Sequence, residues 1–326
     1  MNTRRKIVIA LGAGALAPLA CFAQPRKVWR IGLLRGAEQS EYIKRFDAFK
    51  AGMSALGYDE GRDYVVEIRS SPTDFARLPE LVAELVALKV DIIVTEGTAL
   101  ALSARQATRE IPILITTVGD PVASGLAASL ARPGGNVTGF TTLAAELYTK
   151  RLDLLRQLLP GIRRVGLLYD PTNPSDALAL TRFESDCAKI QLQPIRAPAR
   201  TAEEIAAAFT TLARHQAQGL LVVAGNTNNV SRERVIEYAA KQRLPAVYGR
   251  IAYAEAGGLI SYAADDTDMF RRVAAYAVKI FKGAKPGDLP IQQPTLFEFV
   301  VNMKTAKALG LKIPGSILVQ ATKVID

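Results

Sequence analysis

Short apolar, β-branched runs alternate with longer amphipathic segments from Val28 onward. In the segment LPELVAELVALK, residues 78–89, the apolar residues between Leu78 and Val86 recur at helical spacing. Strands separated by helices of this length predict parallel sheets with helices on both faces, and therefore an α/β fold. The predicted strands are 28–34, 64–70, 91–96, 112–117, 164–170, 192–197, 219–225, 245–249 and 258–263.

The same order of elements occurs twice along the chain. IGLL, a helix and DIIVTEGTALALSARQATREIPILIT are echoed by VGLLYD, a helix and GLLVVAGNTNNVSRERVIEYAAKQRLPAVYG, and each copy ends in a double glycine with an extended segment. This repeat predicts two similar α/β units with a boundary near Phe140. The helix 266–283, the strand 297–301 and a last short helix are too few for a third domain. We expect them to complete the two sheets.

The stretch ILITTVGDPVASGLAASL, residues 113–130, places Asp120 where a predicted strand meets an apolar segment with helical spacing. An Asp followed by Pro121 is a common signal for the start of a helix. The residues leave two roles open for Asp120, a helix cap or a contact to a bound ligand.

Length and charge narrow the class of protein. A chain of 326 residues with 49% hydrophobic residues is long enough for two folded domains and is not disordered. Its formal net charge is +10, and three of these charges, Arg4, Arg5 and Lys6, lie in an acid-free leading segment, which leaves 10 − 3 = +7 for the rest. Because no run of five Lys or Arg residues occurs, we expect no nucleic-acid partner.

The first 23 residues have the layout of a secretory signal peptide, with a basic start, an apolar stretch and small residues at Cys21 and Ala23. We expect cleavage after Ala23 and a soluble periplasmic protein. The alternative is a lipid anchor at Cys21, but Pro18 stands where a lipobox has Leu. Either way only Cys187 remains in the folded body, so no intrachain disulfide is expected.

Candidate chemistry lies where the predicted strands end, because parallel α/β sheets bind ligands beyond the carboxyl ends of their strands. No nucleophile motif or metal-binding motif is present, and the single histidine, His215, lies near a helix end. These features favour a binding protein over an enzyme, without a cofactor or a metal. The candidate ligand-binding residues are Arg35, Glu96, Gly97, Thr98, Gly119, Asp120, Asn136, Thr138, Asn173, Asn226, Tyr248, Arg250, Tyr253 and Asp265.

Several segments across nearly the whole mature chain resemble the substrate-binding proteins of ABC transporters of the tryptophan/tyrosine type. They are YDEGRDYVVEIR, LPELVAELVALKVDIIVTEGT, VGDPVASGLAASLARPGGNVTGF, AEAGGLISYAADDTDMFRRVAAY, FKGAKPGDLPIQQPT and NMKTAKALGLKIP. The resemblance implies the type I periplasmic binding fold, in which two Rossmann-like lobes, joined by crossover hinge strands, close on a solute. Lobe 1 would comprise 28–140 and 265–295, and lobe 2 would comprise 141–264 and 296–326. The implied partners are a membrane permease and an ATPase, and we expect a monomer.

The resemblance leaves the ligand open, because Gly97-Thr98-Ala99 stands where family members often have Gly-Thr-Pro. A zwitterion with an apolar or aromatic side chain would suit the acids and arginines at the strand ends, with Tyr248 and Tyr253 as a flat wall. A polyol or an amide would instead suit the Asn and Thr candidates. The functional alternative is a periplasmic sensing module that presents the solute to a membrane receptor. A repressor of the same fold would need a DNA-binding segment where the signal peptide stands.

Overall fold

The chain folds into two β-sheets with helices on both faces. The structure is a computed structural model, which describes residues 27–36, 39–71, 74–142, 144–225 and 231–326. The predicted α/β class is therefore confirmed. The proposed signal peptide and Asn226 lie outside the described residues. In the part of the chain that the model describes, no helix is long and apolar enough to cross a membrane.

The first sheet consists of five parallel strands in the order β2-β1-β3-β4-β5. Neighbouring residues of β1 bury their side chains on opposite faces, since Leu33 packs with α1 whereas Leu34 packs with α2 and α3. The strands are β1 Trp29–Arg35, β2 Tyr64–Ser70, β3 Ile92–Glu96, β4 Ile113–Val118 and β5 Val137–Thr141. The helices are α1 Gln39–Ala55, α2 Leu78–Ala87 and α3 Thr98–Ala107.

The second sheet has seven strands in the order β12-β11-β10-β9-β8-β6-β7, with β11 antiparallel to β10. Its strands are β6 Arg164–Tyr169, β7 Gln193–Pro198, β8 Gly219–Val222, β9 Ala246–Tyr248, β10 Ile260–Ala264, β11 Phe297–Asn302 and β12 Lys323–Ile325. Its helices are α4 Ala144–Leu158, α5 Pro174–Lys189, α6 Glu204–Arg214, α7 Arg232–Lys241, α8 Ile251–Glu255, α10 Met303–Leu309 and α11 Gly315–Leu318.

The remaining helix, α9 Asp266–Phe281, follows a strand of the second sheet but packs on the first. Its apolar face shares a buried core with β1, β3 and α1, to which Met269 and Val273 contribute. The chain thus passes between the sheets after Thr141, after Ala264 and before Phe297. Below, the first sheet with α1–α3 and α9 is called the first lobe, and the second sheet with its helices the second lobe.

Two local predictions are wrong. The segment after Pro121 forms hydrogen-bonded turns rather than a helix, and Gly125 within it has a φ of +73°, which a helix does not accommodate. Asn136 and Thr138 were expected at a strand end, but β5 begins at Val137, so they stand at its amino end. Because β5 runs parallel to β4, that end faces away from the edge where the other candidates lie.

Candidate ligand-binding cleft between the lobes

A cavity of about 350 Å³ lies between the two lobes at the carboxyl ends of their strands. This volume is at the lower end of the range of about 300–1,000 Å³ that is usual for small-molecule sites. The first lobe contributes Phe75, Leu78, Pro79, Gly97, Thr98, Ala99, Leu102, Ser103, Gln106, Thr117 and Gly119. The connection to the second lobe and the second lobe itself contribute Thr142, Tyr148, Asp170, Thr172, Asn173, Ser175, Asp176, Val223, Ala224, Gly225 and Arg250.

The first-lobe wall is built around the start of α3. Gly97 precedes the helix with a φ of +71°, and no side chain caps the helix start. The Gly97 N–H donates to Thr116 O and to Thr117 Oγ1, both at 3.1 Å. Thr117 itself has a φ of +51°, a conformation that costs energy in a β-branched residue and is often found at binding sites. The first N–H groups of α3 have no partner within the helix and lie at the cavity wall.

The second-lobe wall is built around the start of α5, where two carboxylates lie close together. Asn173 caps the helix by accepting a hydrogen bond from Ser175 N at 3.1 Å. The Asp176 carboxylate accepts from Asp170 N at 2.9 Å and from Asn173 Nδ2 at 3.0 Å. Asp170 accepts from the N–H and the hydroxyl of Thr172. The wall thus presents acidic side chains that are held in place by local hydrogen bonds.

Asp176 is an unusual carboxyl group because it is 2% exposed and has no salt bridge within the described part of the chain. Burial raises its pKa to about 7, and the nearby Asp170 carboxylate acts in the same direction. The hydrogen bond from Asp170 N and the charge of Arg250 partly oppose this rise. A cationic group placed in the cavity would favour the ionised form of Asp176.

One direct hydrogen bond crosses the cavity between the lobes. It joins Thr98 Oγ1 in the first turn of α3 to Ser175 Oγ in the first turn of α5 at 2.5 Å. Both residues line the cavity, so the two walls touch at this point. The arrangement is that of a closed cleft.

A chain of charged groups connects the lobes beside the cavity. Arg45 of α1 donates to Glu96 Oε2 at 2.8 Å and lies 3.2 Å from Asp266 Oδ2. Asp266 in turn lies 3.5 Å from Arg250, which also donates to Ala224 O. Arg250 belongs to the second lobe, and Asp266 follows the segment that crosses between the lobes after Ala264. These ion pairs therefore connect the hinge to both lobes.

Five of the residues predicted from the sequence line the cavity: Gly97, Thr98, Gly119, Asn173 and Arg250. They share a position at the carboxyl end of a strand or in the first turn that follows it. Strand ends in a parallel sheet meet at one edge, and the two lobes turn these edges toward each other.

Four charged candidates have other partners and do not line the main cavity. Glu96 is paired with Arg45 and also accepts from Gly36 N. The Asp120 carboxylate accepts from the N–H groups two and three residues on, at 3.0 and 2.9 Å, so it caps the turn. Asp265 caps α9 by accepting from Asp268 N. The Arg35 guanidinium lies 4.2 Å from the centre of the Tyr42 ring.

The other candidates away from the cavity are buried in the lobes. Asn136 donates to Thr108 O and Ile111 O, and Thr138 donates to Leu289 O, at the far edge of the first sheet. Tyr248 and Tyr253 stack on each other with ring centres 4.6 Å apart in the core under α6 and α7. The aromatic wall expected from them is therefore absent from the cavity lining.

Sequence reasoning missed the aromatic and acidic residues of the cavity, chiefly Phe75, Tyr148 and Asp176. Tyr148 lies on the first helix of the second lobe, just after the chain crosses between the lobes. Asp176 follows the turn DPTNP and occupies the first turn of α5. The sequence contained a signal for Asp176, because an acidic residue three positions after a helix-capping residue turns back toward the start of the helix. Here it accepts from Asp170 N, directly after β6.

A family model for ABC transporter substrate binding proteins matches residues 32–325 of this chain. A curated relative, the tyrosine-binding protein of Clostridioides difficile strain R20291, is 24% identical over 287 residues, which cover 88% of this chain and 82% of the relative.

Solved structures show a similar fold. The chain matches the ABC domain of a Streptococcus pneumonia protein in complex with L-Trp with a TM-score of 0.85 and 26% identity, over 92% of this chain and all of the other. A ligand-free, open substrate-binding protein with adhesive properties from Clostridium difficile matches with a TM-score of 0.69 and 23% identity, over 92% of this chain and 99% of the other.

Proposed function

The chain belongs to the ABC transporter substrate-binding protein family, and on this premise we propose that it binds an amino acid with an aromatic or large apolar side chain by closure of its lobes. The family is one of solute-binding proteins rather than enzymes, and it works outside the cytoplasm with a permease and an ATPase. The observation that carries the proposal is the cavity between the lobes, which combines a buried acid, Asp176, with an apolar surface on the opposite wall.

The ammonium group of the solute is assigned to the second-lobe wall. Asp176 is a buried carboxylate without a salt bridge among the described residues, and Asp170 adds negative charge beside it. An ammonium group supplies the missing positive charge and donates charge-assisted hydrogen bonds. A neutral polyol would leave the ionised form of Asp176 without a positively charged partner, so this buried acid favours an amine.

The side chain of the solute is assigned to the first-lobe wall. Phe75, Leu78, Pro79 and Leu102 form an apolar surface at the cavity, and Phe75 offers an aromatic ring. Binding sites for small molecules typically combine such an apolar surface with a few polar groups that fix the orientation. The names of two similar proteins, one tyrosine-binding and one in complex with L-Trp, point to the same class of solute.

Closure provides the signal to the permease in this proposal. The solute binds between open lobes, and its contacts with both walls shift the population toward the closed form. In that form the Thr98–Ser175 hydrogen bond joins the walls, and the Arg250–Asp266 contact lies at the hinge. The family match favours this role over that of a sensing module.

The proposed function also includes export of the protein and a monomeric state. We expect residues 1–23 to direct export and cleavage after Ala23 to release a monomer into the periplasm. Mass spectrometry of the mature protein identifies its first residue, and a lipid on Cys21 would contradict the soluble form.

A thermal-shift screen tests the proposed solute class. L-tyrosine, L-tryptophan and L-phenylalanine should raise the melting temperature, because a ligand that binds only the folded form stabilises it by about 2.7 kcal/mol at a concentration of 100 times Kd. Polyols and dicarboxylates without an amine serve as comparison compounds. Stabilisation by polyols alone would contradict the assignment of Asp176 to an ammonium group.

A further inference from the structure

Arg151 on α4 is a buried guanidinium group whose hydrogen bonds are incomplete. Its side chain is 2% exposed. Nε donates to Tyr262 O at 2.8 Å and Nη2 donates to Gly249 O at 3.4 Å. Nη1 has no acceptor among the residues that the model describes. The contacts to the second sheet therefore account for two of the three nitrogens and leave the third without a partner.

The guanidinium carbon of Arg151 lies 5.0 Å from the centre of the Tyr148 ring, but its charge has no carboxylate counter-ion among the described residues. In the described ranges no carboxylate lies within salt-bridge distance of its nitrogens. Burial lowers its pKa, which Tyr148 partly opposes. Removing one partner from a buried ion pair typically costs several kcal/mol, so a buried cation without a counter-ion calls for a physical explanation.

A small cavity lies beside Arg151 and adjoins the main one. Its volume is about 50 Å³, and it shares five lining residues with the larger cavity. A cavity needs about 10–15 Å³ of space open to a water-sized sphere to hold one water molecule, so this one has room for a group the size of a carboxylate. The shared residues are Thr117, Thr142, Tyr148, Ala224 and Arg250.

Arg151 is a better candidate for binding an anion than the other arginine at this end of the cleft. Arg250 lies 3.5 Å from Asp266 and donates to Ala224 O, so its charge already has a partner. Asp266 also lines the small cavity, but its carboxylate is paired with Arg250 and with Arg45, which lies 3.2 Å away. Tyr148 lines both cavities, whereas Arg151 lines the small one and Asp176 the large one, so the cation and the anion lie in adjoining cavities that share this side chain. A zwitterion can meet opposite charges at such a position.

We infer that Arg151 binds the carboxylate of the solute at the inner end of the cleft. The inference rests on the proposed function and extends it, because it fixes the orientation of the solute. The carboxylate lies in the small cavity at Nη1 of Arg151, the ammonium group lies toward Asp176, and the side chain points to the first-lobe wall. Arg151 is then a determinant of specificity for free acids over amides and amines.

Calorimetry with L-tyrosine, L-tyrosinamide and tyramine tests the inference. Unmodified protein should bind L-tyrosine about 10- to 150-fold more tightly than the other two compounds, the range for a hydrogen bond between charged groups. The Arg151→Gln variant should lose this discrimination, and Arg151→Lys should retain part of it. Arg105→Gln is the matched control, because Arg105 also has nitrogens without acceptors in the described structure but does not line either cavity.

The outcomes separate the two proposals. If none of the aromatic amino acids binds the unmodified protein, the proposed function and this inference fail together. If the unmodified protein binds L-tyrosine and L-tyrosinamide equally well, only the role of Arg151 is overturned. This comparison uses unmodified protein, so it does not require any variant to fold. An equal loss of affinity for acid and amide in Arg151→Gln, with reduced stability, would assign Arg151 to structural support alone.

Discussion

Thr98 Oγ1 and Ser175 Oγ lie 2.5 Å apart and share a hydrogen bond across the cleft. Each hydroxyl stands in the first turn of a helix that follows a strand of its own lobe. The contact exists only when the lobes are together, so it contributes to the closed form and not to the open one. It therefore links the local structure of two helix starts to the equilibrium on which transport depends.

Removal of this contact should weaken solute binding. Thr98→Val and Ser175→Ala are each expected to cost about 0.5–1.5 kcal/mol of binding free energy, the usual net value of a hydrogen bond. Because both changes remove the same contact, their effects should be less than additive when they are combined. Calorimetry with L-tyrosine on the single and double variants measures the coupling. Thr98→Ser, which keeps the hydroxyl, is the control, and full additivity would show that the contact does not act in closure.

Binding of an amino acid should weaken as the pH falls, because the solute's ammonium group requires Asp176 in its ionised form. The pKa of Asp176 is raised to about 7 by burial, so protonation competes with binding below that value. In the free protein the raised pKa has the opposite effect on folding. The Asp176 contribution should lower the free energy of unfolding as the pH rises from the ordinary pKa of 3.8 to about 7.

Titration calorimetry from about pH 8 to about pH 6 follows this dependence. Asp176→Asn should bind L-tyrosine more weakly by about 1.5–3 kcal/mol and should lose most of the pH dependence. Asp120→Asn is the matched control, since Asp120 also follows a strand of a parallel sheet but its carboxylate accepts from Val122 N and Ala123 N. A larger loss of affinity in Asp120→Asn than in Asp176→Asn would instead place the ammonium group at Asp120.

The buried Arg45–Glu96 pair should matter for stability more than for recognition of the solute. The two side chains are 9% and 5% exposed, and neither lines the main cavity. Arg45→Met leaves the Glu96 carboxylate buried without its partner and should lower the free energy of unfolding by about 3–5 kcal/mol. The double change Arg45→Met with Glu96→Gln should recover part of this loss in urea denaturation. No recovery would indicate that Asp266, the other partner of Arg45, determines the effect.

Much of the fold could be predicted from the sequence because strand and helix periods differ strongly in this chain. The predicted strand 64–70 coincides with β2, and the predicted helix that starts at residue 78 is α2. The location of the cavity at the carboxyl ends of the strands was also predictable, since these ends meet at one edge of a parallel sheet.

The side of a strand or helix on which a residue lies was harder to predict. Tyr248 and Tyr253 were expected to form an aromatic wall of the binding site, but both are buried in the core of the second lobe. Tyr148 lines the cavity instead. The difference depends on the register of a short strand and on how the lobes turn toward each other. Contacts between distant segments, such as Thr98 with Ser175, have no local signal in the sequence.

Solution scattering shows whether the lobes close on an amino acid, which is the step on which the proposed function depends. The radius of gyration of the mature protein is measured with and without saturating L-tyrosine or L-tryptophan, with binding verified by calorimetry on the same sample. We expect a smaller radius of gyration with the amino acid and a scattering profile that matches the closed cleft. A bound amino acid that stabilises the protein without any compaction would contradict closure.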